Sequence, residues 1–364
     1  MSTSSLFQPI KVGNSTLQHR VVLAPLTRYR GTQKDHVPTP WMTTYYTQRG
    51  SSPGTLLITE ATFISPQAGG YDNVPGIWSE AQISGWKKIT DSVHEKGSYI
   101  YLQLWALGRS AKPHILAEDG HDFVSASDIP IEEGAQAPRP LTIPEIQQYV
   151  QQYAQAAKNA VDGAGFDGVE VHCANGYLPD QFLQDVSNKR TDAYGGSIEA
   201  RSKFPLEIVD AVAKAIGSER TGLRISPWGT YQSMKMADPI PQFTHFISNV
   251  ASSHPNLAYI HAVEPEVPGA AESNDFIRNI WAPRPFITAQ GYTRETAIER
   301  ADSKGDLIAF GKVYISNPDL PTRLQKDIPL NPFDVDTFYT SGHLPDTEVG
   351  YTDYPFASEV EVQA

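Results

Sequence analysis

Short runs of apolar, β-prone residues alternate along this chain with longer segments of helical period, and that alternation restricts the fold more than any other feature. The strand candidates are Arg20–Ala24, Leu56–Thr59, Tyr99–Leu104, Gly168–His172, Gly222–Ser226, Tyr259–Ala262, Phe286–Ala289 and Leu307–Phe310. Most are apolar without a break, as expected of parallel strands covered on both faces. Helical segments fall between them. Thr39-Pro40 opens one that Gly50 closes, with proline at the first helical position. Ser79 to Lys96 begins with a Ser-x-x-Gln box and stops at Gly97. Thr142 to Asp162 begins with Thr-x-x-Glu and carries Ile146, Tyr149, Val150, Tyr153 and Ala157 along one face. Ser197–Ile216, Pro241–Ser252, Ser273–Trp281, Thr293–Ala301 and Asn317–Gln325 follow.

Strands and helices alternating in this way predict an α/β fold, a (β/α)8 TIM barrel. An open doubly wound sheet would carry a Gly-x-Gly-x-x-Gly turn after an early strand, and none is present. Phe7–Leu17 reads as an N-terminal β-hairpin around Gly13-Asn14, placed to close the barrel floor. No linker composition interrupts residues 1–364, so the 364 residues are expected to form one barrel domain.

Lys and Arg number 29 against 41 Asp and Glu, a net charge of −12. Such a surface is ill suited to nucleic acid or an anionic membrane. It leaves room for a small anionic cofactor, which needs only a local nest of N–H groups and a cation or two. The single cysteine, Cys173, excludes an intrachain disulfide and any multi-cysteine metal site. It reads as a small buried hydrophobe. The ten histidines show no metal-ligand spacing, so no metal is expected. Met1–Gly13 lacks a secretory apolar stretch, and no run reaches membrane-spanning length; the expectation is a cytoplasmic protein. Monomer and homodimer are both compatible with the sequence.

In a barrel of this type the site lies at the carboxyl ends of the strands. Polar, aromatic and glycine residues gather there. The first strand is followed by Pro25, Thr27 and Arg28, the third ends in Gln103 and Trp105, and the fourth in His172, Asn175 and Tyr177. Gln290-Gly291 and Gly311-Lys312 follow strands seven and eight, a common phosphate position, although a plain turn and a surface lysine would look the same. His172 and Asn175 could polarise a carbonyl oxygen and Tyr177 could deliver a proton. A core histidine, a turn asparagine and a packed tyrosine are the ordinary alternative. Arg224 interrupts an apolar strand and needs a partner, either a carboxylate such as Glu60 or Glu170 or an electron-rich cofactor edge.

The run Val169-Glu170-Val171-His172-Cys173-Ala174-Asn175-Gly176-Tyr177-Leu178-Pro179-Asp180-Gln181-Phe182-Leu183, continuing through Asn188–Asp192 to Tyr194–Ser197, closely resembles the old yellow enzyme family. So do Ala24–Arg28, Leu57–Ala61, Gly69–Tyr71, Gln103–Trp105, Arg224–Pro227, Val263–Pro265, Ile315–Leu320 and Tyr351–Pro355, which together span nearly the whole chain. These are FMN-dependent ene-reductases on a (β/α)8 barrel.

The resemblance implies non-covalent, tightly held FMN. Ala24, Pro25, Thr27, Ala61 and Gln103 would line or bond the flavin ring, Arg224 would face its N1–C2 edge, and Gln290, Gly291, Gly311 and Lys312 would hold the phosphate. Tyr71, Trp105 and Tyr351 would wall the substrate pocket. NADPH would reduce the flavin, and hydride would then pass from flavin N5 to the β-carbon of an α,β-unsaturated carbonyl compound. His172 and Asn175 would bond the carbonyl oxygen, and Tyr177 would protonate the α-carbon. The family commonly carries Gly where this chain has Gln290 and Arg where it has Lys312, which predicts intact but weaker FMN binding. Two other functions compete with reduction: a flavin-dependent isomerase without net redox change, against which Tyr177 argues, and a non-catalytic FMN-binding barrel. The loop Val267–Asn274 is short for a barrel loop and would leave the pocket open on that side.

Overall fold

A computed structural model describes residues 4–265, 272–341, 347–358 and 362. The segment 266–271, and with it most of the loop expected to leave the pocket open, lies outside the described residues. Eight parallel strands close a barrel: β1 (Val21–Leu23), β2 (Leu56–Ile58), β3 (Tyr99–Trp105), β4 (Gly168–Cys173), β5 (Thr221–Ile225), β6 (Tyr259–Val263), β7 (Phe286–Ala289) and β8 (Leu307–Phe310). Each pairs with its sequence neighbour, and β8 returns to β1 through Ala309 opposite Val22. The helices between them are α1 (Pro40–Arg49), α2 (Glu80–His94), α3 (Ile143–Lys158), α4 (Ile198–Ile216), α5 (Ile240–Ser253), α6 (Asp275–Trp281), α7 (Arg294–Lys304) and α8 (Leu320–Lys326).

The capping chemistry read from the sequence sets the helix starts. Ser79 and Thr142 each accept from the backbone three residues on, and Gln82 and Glu145 reach back to complete the boxes. One expected helix is not uniform. The segment from Thr142 is α-helical to Lys158 and finishes in a π-helical turn, Asn159–Gly163, whose Asn159 amide donates to Ile77 O at 2.8 Å. The last helix begins at Leu320 and not at Asn317, because the Asn317 side chain instead bonds Val313 O and receives the Asn331 N–H.

Strand alternation divides the core in two. Residues facing out, such as Val169, Val171, Leu223 and Ile260, pack under the helices. Those facing in at the bottom of the barrel include Val22, Leu56, Ile58, Tyr101, Tyr259, Ile287 and Leu307. The hairpin Ile10–Val12/Ser15–Leu17 turns at Gly13, whose φ is 53°, and drives Val12 and Leu17 into this lower cluster. The sequence-predicted floor plug is therefore present, and each buried aliphatic contributes roughly 1.5–3 kcal/mol. Gly168 and Gly222 make room for the two tyrosines. A Cβ at Gly168 would lie 2.5 Å from the Tyr101 ring, and one at Gly222 would lie 2.3 Å from the Tyr259 ring.

Higher in the lumen the two halves of the barrel differ. On β3 to β6 the inward positions carry Gln103, Glu170, His172, Arg224 and His261, whereas β7, β8 and β1 present Ala289, Ala309 and Ala24. A polar half thus faces an apolar one, directly beneath the carboxyl-end loops.

Candidate active site

Two adjoining cavities open at the carboxyl ends of the strands. The first, about 550 Å³, lies over the polar half and is lined by Thr27, Ala61, Gln103, His172, Asn175 and Arg224 beneath an aromatic wall of Tyr29, Tyr71, Trp105, Tyr177, Tyr231 and Tyr339. The second, about 480 Å³, lies beyond β7 and β8 and is lined by Ala24, Ala289, Gln290, Gly291, Gly311 and Lys312, with Phe333 at its edge. Pro25, Leu26 and Arg224 border both. The combined space is elongated, with a polar, aromatic-walled end and a glycine-lined end bearing a cation.

The turn after β4 carries the densest chemistry. His172 is the last inward residue of that strand and is buried. Burial, with Arg224 and His261 nearby, holds its ring well below the ordinary histidine range, so it is neutral at pH 7. Its Nδ1 has no partner among the described residues. Asn175 takes a left-handed backbone (φ 58°), which asparagine tolerates, and its N–H donates to Ser226 Oγ at 2.7 Å. The Gly176 N–H donates to Asp180 Oδ2 at 2.9 Å, and Gly176 O accepts from the Gln181 amide at 2.6 Å. Tyr177 then precedes the short helix Leu178–Leu183. Its ring centroid lies 4.9 Å from that of His172. Burial raises its phenol well above the usual range, so the proton stays on at neutral pH.

Several buried polar groups here lack protein partners. Arg224 Nε is buried and unpaired among the described residues, as is Trp105 Nε1. Arg224 attracts Glu170, the carboxylate the sequence offered as its ordinary partner, while its end borders both cavities. Glu60, the other candidate, lies instead beside Arg28, Arg30 and the Tyr46 hydroxyl. At the far end, Gln290 is held at φ 113° and Gly291 at φ 71°; a Cβ on Gly291 would meet nothing within 4 Å, which leaves the backbone there open to a ligand. An elongated cavity with a guanidinium at its waist whose Nε has no hydrogen-bond partner among the described residues, and a bare backbone cradle beside Lys312, fits an FMN-sized molecule.

One expected pocket residue lies elsewhere. Tyr351 was expected to wall the substrate pocket, but it is fully buried, with its ring stacked on Tyr45 at 4.4 Å and capped by the Arg28 and Arg30 guanidiniums at 5.0 and 4.8 Å. Those arginines tie the C-terminal arm to the barrel. Arg28 donates to Phe338 O and Gly350 O, and Arg30 donates to Thr340 O. The arm's contribution to the cavity is Tyr339, which stands edge-on to Tyr29 at 6.0 Å. Sequence reasoning missed Tyr29, Tyr231 and Tyr339. Tyr29 directly follows the Pro25–Arg28 motif and could have been found by extending it. Tyr339 carries no local signal, because contacts some 310 residues apart bring it there.

The profile of the NADH:flavin oxidoreductase / NADH oxidase family matches residues 5–331. The chain belongs to this family, the old yellow enzymes. It is 49% identical to chanoclavine-I aldehyde reductase fgaOx3 of Penicillium roqueforti, covering 98% of each chain. It is 48% identical to a protein of Epichloe festucae var. lolii named probable inactive reductase easA, covering 99% of this chain and 97% of the relative. Among solved structures it superposes on Old Yellow Enzyme from Pichia sp. AKU4542 with a TM-score of 0.91, at 40% identity, over 98% of this chain and 94% of that one. The chain is thus a flavin oxidoreductase of the old yellow enzyme type.

Proposed function

We propose that this old yellow enzyme is an NADPH-dependent ene-reductase that uses FMN to reduce α,β-unsaturated aldehydes or ketones. The observation that carries the reading is the β4 turn: a neutral buried histidine, an asparagine and a protonated buried tyrosine converge on one cavity, next to an arginine whose Nε has no hydrogen-bond partner among the described residues. Pro25, Thr27, Ala61, Gln103 and Arg224 would hold the flavin ring, and Ala24, Gln290, Gly291, Gly311 and Lys312 the ribityl phosphate. FMN, when bound, supplies the hydride that NADPH has delivered to it.

The protein side chains do the rest. His172 and Asn175 donate to the substrate carbonyl oxygen. Because His172 is neutral, it donates without surrendering a proton, and it stabilises the negative charge that builds on that oxygen as Cβ accepts hydride. One such donor is worth roughly 3–4 kcal/mol, or about 10²–10³ in rate. Tyr177 then gives its phenolic proton to Cα, on the side of the cavity where its ring is held. Tyr71 contributes shape but no proton, since its hydroxyl donates to Ser110 O at 2.6 Å.

The test is an absorption spectrum of the purified protein with anaerobic additions. A flavin band that bleaches with NADPH and recovers with 2-cyclohexenone supports the reading. Bleaching without recovery by any enone favours a non-catalytic barrel. Rearrangement of an unsaturated aldehyde without net NADPH consumption favours an isomerase. A chain that stays colourless after incubation with FMN defeats the cofactor assignment.

A further inference from the structure

One buried carboxylate has no part in that reaction. Glu170 lies two residues below His172 on β4, on the same inward face, and is fully buried at the centre of the barrel. Its Oε1 accepts from Gln103 Nε2 at 2.8 Å, and its Oε2 lies 2.8 Å from His261 Nδ1. Arg224, on the neighbouring strand β5, is in register with both His172 and His261 and attracts Glu170 on the adjacent strand. Isolated, such a carboxyl would be expected to stay protonated. Here two donors and one guanidinium converge on it.

We propose that Glu170 is a positioning residue for the cofactor ring: it fixes which end of the Gln103 amide faces the cavity and supplies the counter-charge to Arg224. The proposal rests on the FMN reading above. An amide side chain offers a carbonyl at one end and an NH2 at the other, and the two ends are nearly identical in shape. A carboxylate only accepts, so it takes an N–H of Gln103 and commits the Gln103 oxygen to the cavity side. A neutral amide in its place accepts at one end and donates at the other, and Gln103 loses that instruction. Arg224 would also stand uncompensated at the cavity, where its full charge favours an electron-rich, reduced ring. Glu170 moderates that pull.

The experiment compares wild type, Glu170→Gln and Glu170→Asp as FMN-loaded proteins. Two quantities are read, the flavin midpoint potential by anaerobic dye equilibration and the FMN Kd by fluorescence. Glu170→Gln is expected to move the potential positive and weaken FMN by roughly tenfold, the effect of one misdirected hydrogen bond to a buried partner. Glu170→Asp keeps the charge but shortens the reach to Gln103, so it is expected to weaken FMN while leaving the potential close to wild type. If Glu170→Gln does not fold, His261 gives a second route. His261→Leu removes one donor to Glu170 and is expected to move the potential positive, and His261→Gln, which can still donate, is expected to restore it. Variants that melt earlier but keep wild-type potential and Kd would make Glu170 a purely structural core residue and overturn the inference. A wild-type chain that takes up no FMN overturns the cofactor reading and this inference with it.

Discussion

The ring of Tyr177 stands edge-on to Trp105, with centroids 4.8 Å apart and planes at 88°. Trp105 is itself stacked on Phe63 at 5.1 Å. The proton donor we propose is thus braced against a core aromatic stack and has little freedom to swing. Aromatic pairs of this geometry contribute roughly 0.5–1.5 kcal/mol beyond their buried area. A fixed phenol delivers its proton to one position and one face of a bound substrate.

Tyr177→Phe keeps that brace and removes only the proton. Reduction of the bound flavin by NADPH should proceed at the wild-type rate, because no proton from Tyr177 is needed there. Turnover of an enone should slow by roughly 10²-fold, at the low end of what a positioned acid contributes. The unprotonated enolate can also rotate and return its hydride, so isomerised starting material should accumulate. Stopped-flow separation of the two half-reactions reads both effects. Reduction of 2-cyclohexenone by the variant at the wild-type rate would remove Tyr177 from its role.

His172→Ala makes the complementary cut. The loss of one oxyanion donor should lower turnover by roughly 10²–10³. FMN retention should change little, because the ring contacts assigned to Thr27, Gln103 and Arg224 remain. Loss of flavin on purification, with turnover per bound flavin preserved, would reassign His172 to cofactor binding.

Much of this architecture could be read from residue order alone, for physical reasons. Parallel strands buried on both faces have to be apolar runs, so Phe286–Ala289 and Leu307–Phe310 were identified to the residue. Capping boxes are local, so Ser79 and Thr142 marked their helices. The β4 turn was legible because its chemistry is contiguous in sequence. Tyr351 was misplaced because its surroundings come from Tyr45, Arg28 and Arg30, which lie far away along the chain. The hydrogen bonds of Arg28 and Arg30 to Phe338 O, Gly350 O and Thr340 O likewise bring Tyr339 to the cavity. Short helices such as Pro113–Glu118 and Leu178–Leu183 escaped notice because six residues span too few turns to show a period.

The end of the cavity proposed to hold the phosphate offers a gain-of-function prediction. Gln290 is held at φ 113°, a conformation that costs a non-glycine residue on the order of 1–3 kcal/mol. Gln290→Gly should relieve that strain and raise the melting temperature of the apo-protein. Lys312 offers a point charge, whereas arginine offers a planar fork. Lys312→Arg should therefore hold FMN more tightly, and the double variant more tightly still. Rates of FMN loss on dilution check the order. Faster FMN loss from Lys312→Arg than from wild type would mean that Lys312 does not face the phosphate.

The catalytic turn also carries a pH signature. Burial pushes the Asp180 carboxyl up to about 7 from an ordinary 3.8, although it accepts from the Gly176 N–H and from the Gln184 amide at 2.9 Å. Glu60, buried beside Tyr46, is likewise pushed up to about 7. For both groups the native state binds a proton that the unfolded chain releases near pH 4. The stabilisation is therefore complete below that pH and is lost as pH rises toward 7, with a limiting slope of about 1.4 kcal/mol per pH unit for each proton. Buried His19, His36, His172 and His261 act in the opposite sense, because burial holds each ring below its ordinary value and the unfolded chain binds the protons they refuse. The carboxyl contribution is therefore read as the difference in unfolding free energy between wild type and Asp180→Asn in urea titrations, which should fall from pH 5 to pH 7 and level off above it. Asp180→Asn carries no charge at any pH, so it should remove the Asp180 share of the slope and leave that of Glu60. Its cost is one hydrogen bond, about 1 kcal/mol, because its NH2 end only donates and cannot replace the carboxyl oxygen that accepts from one of the two donors. A difference between wild type and Asp180→Asn that is flat over pH 5–7 would show that Asp180 keeps an ordinary value, and it would then hold the Gly176 N–H as a full anion throughout that range.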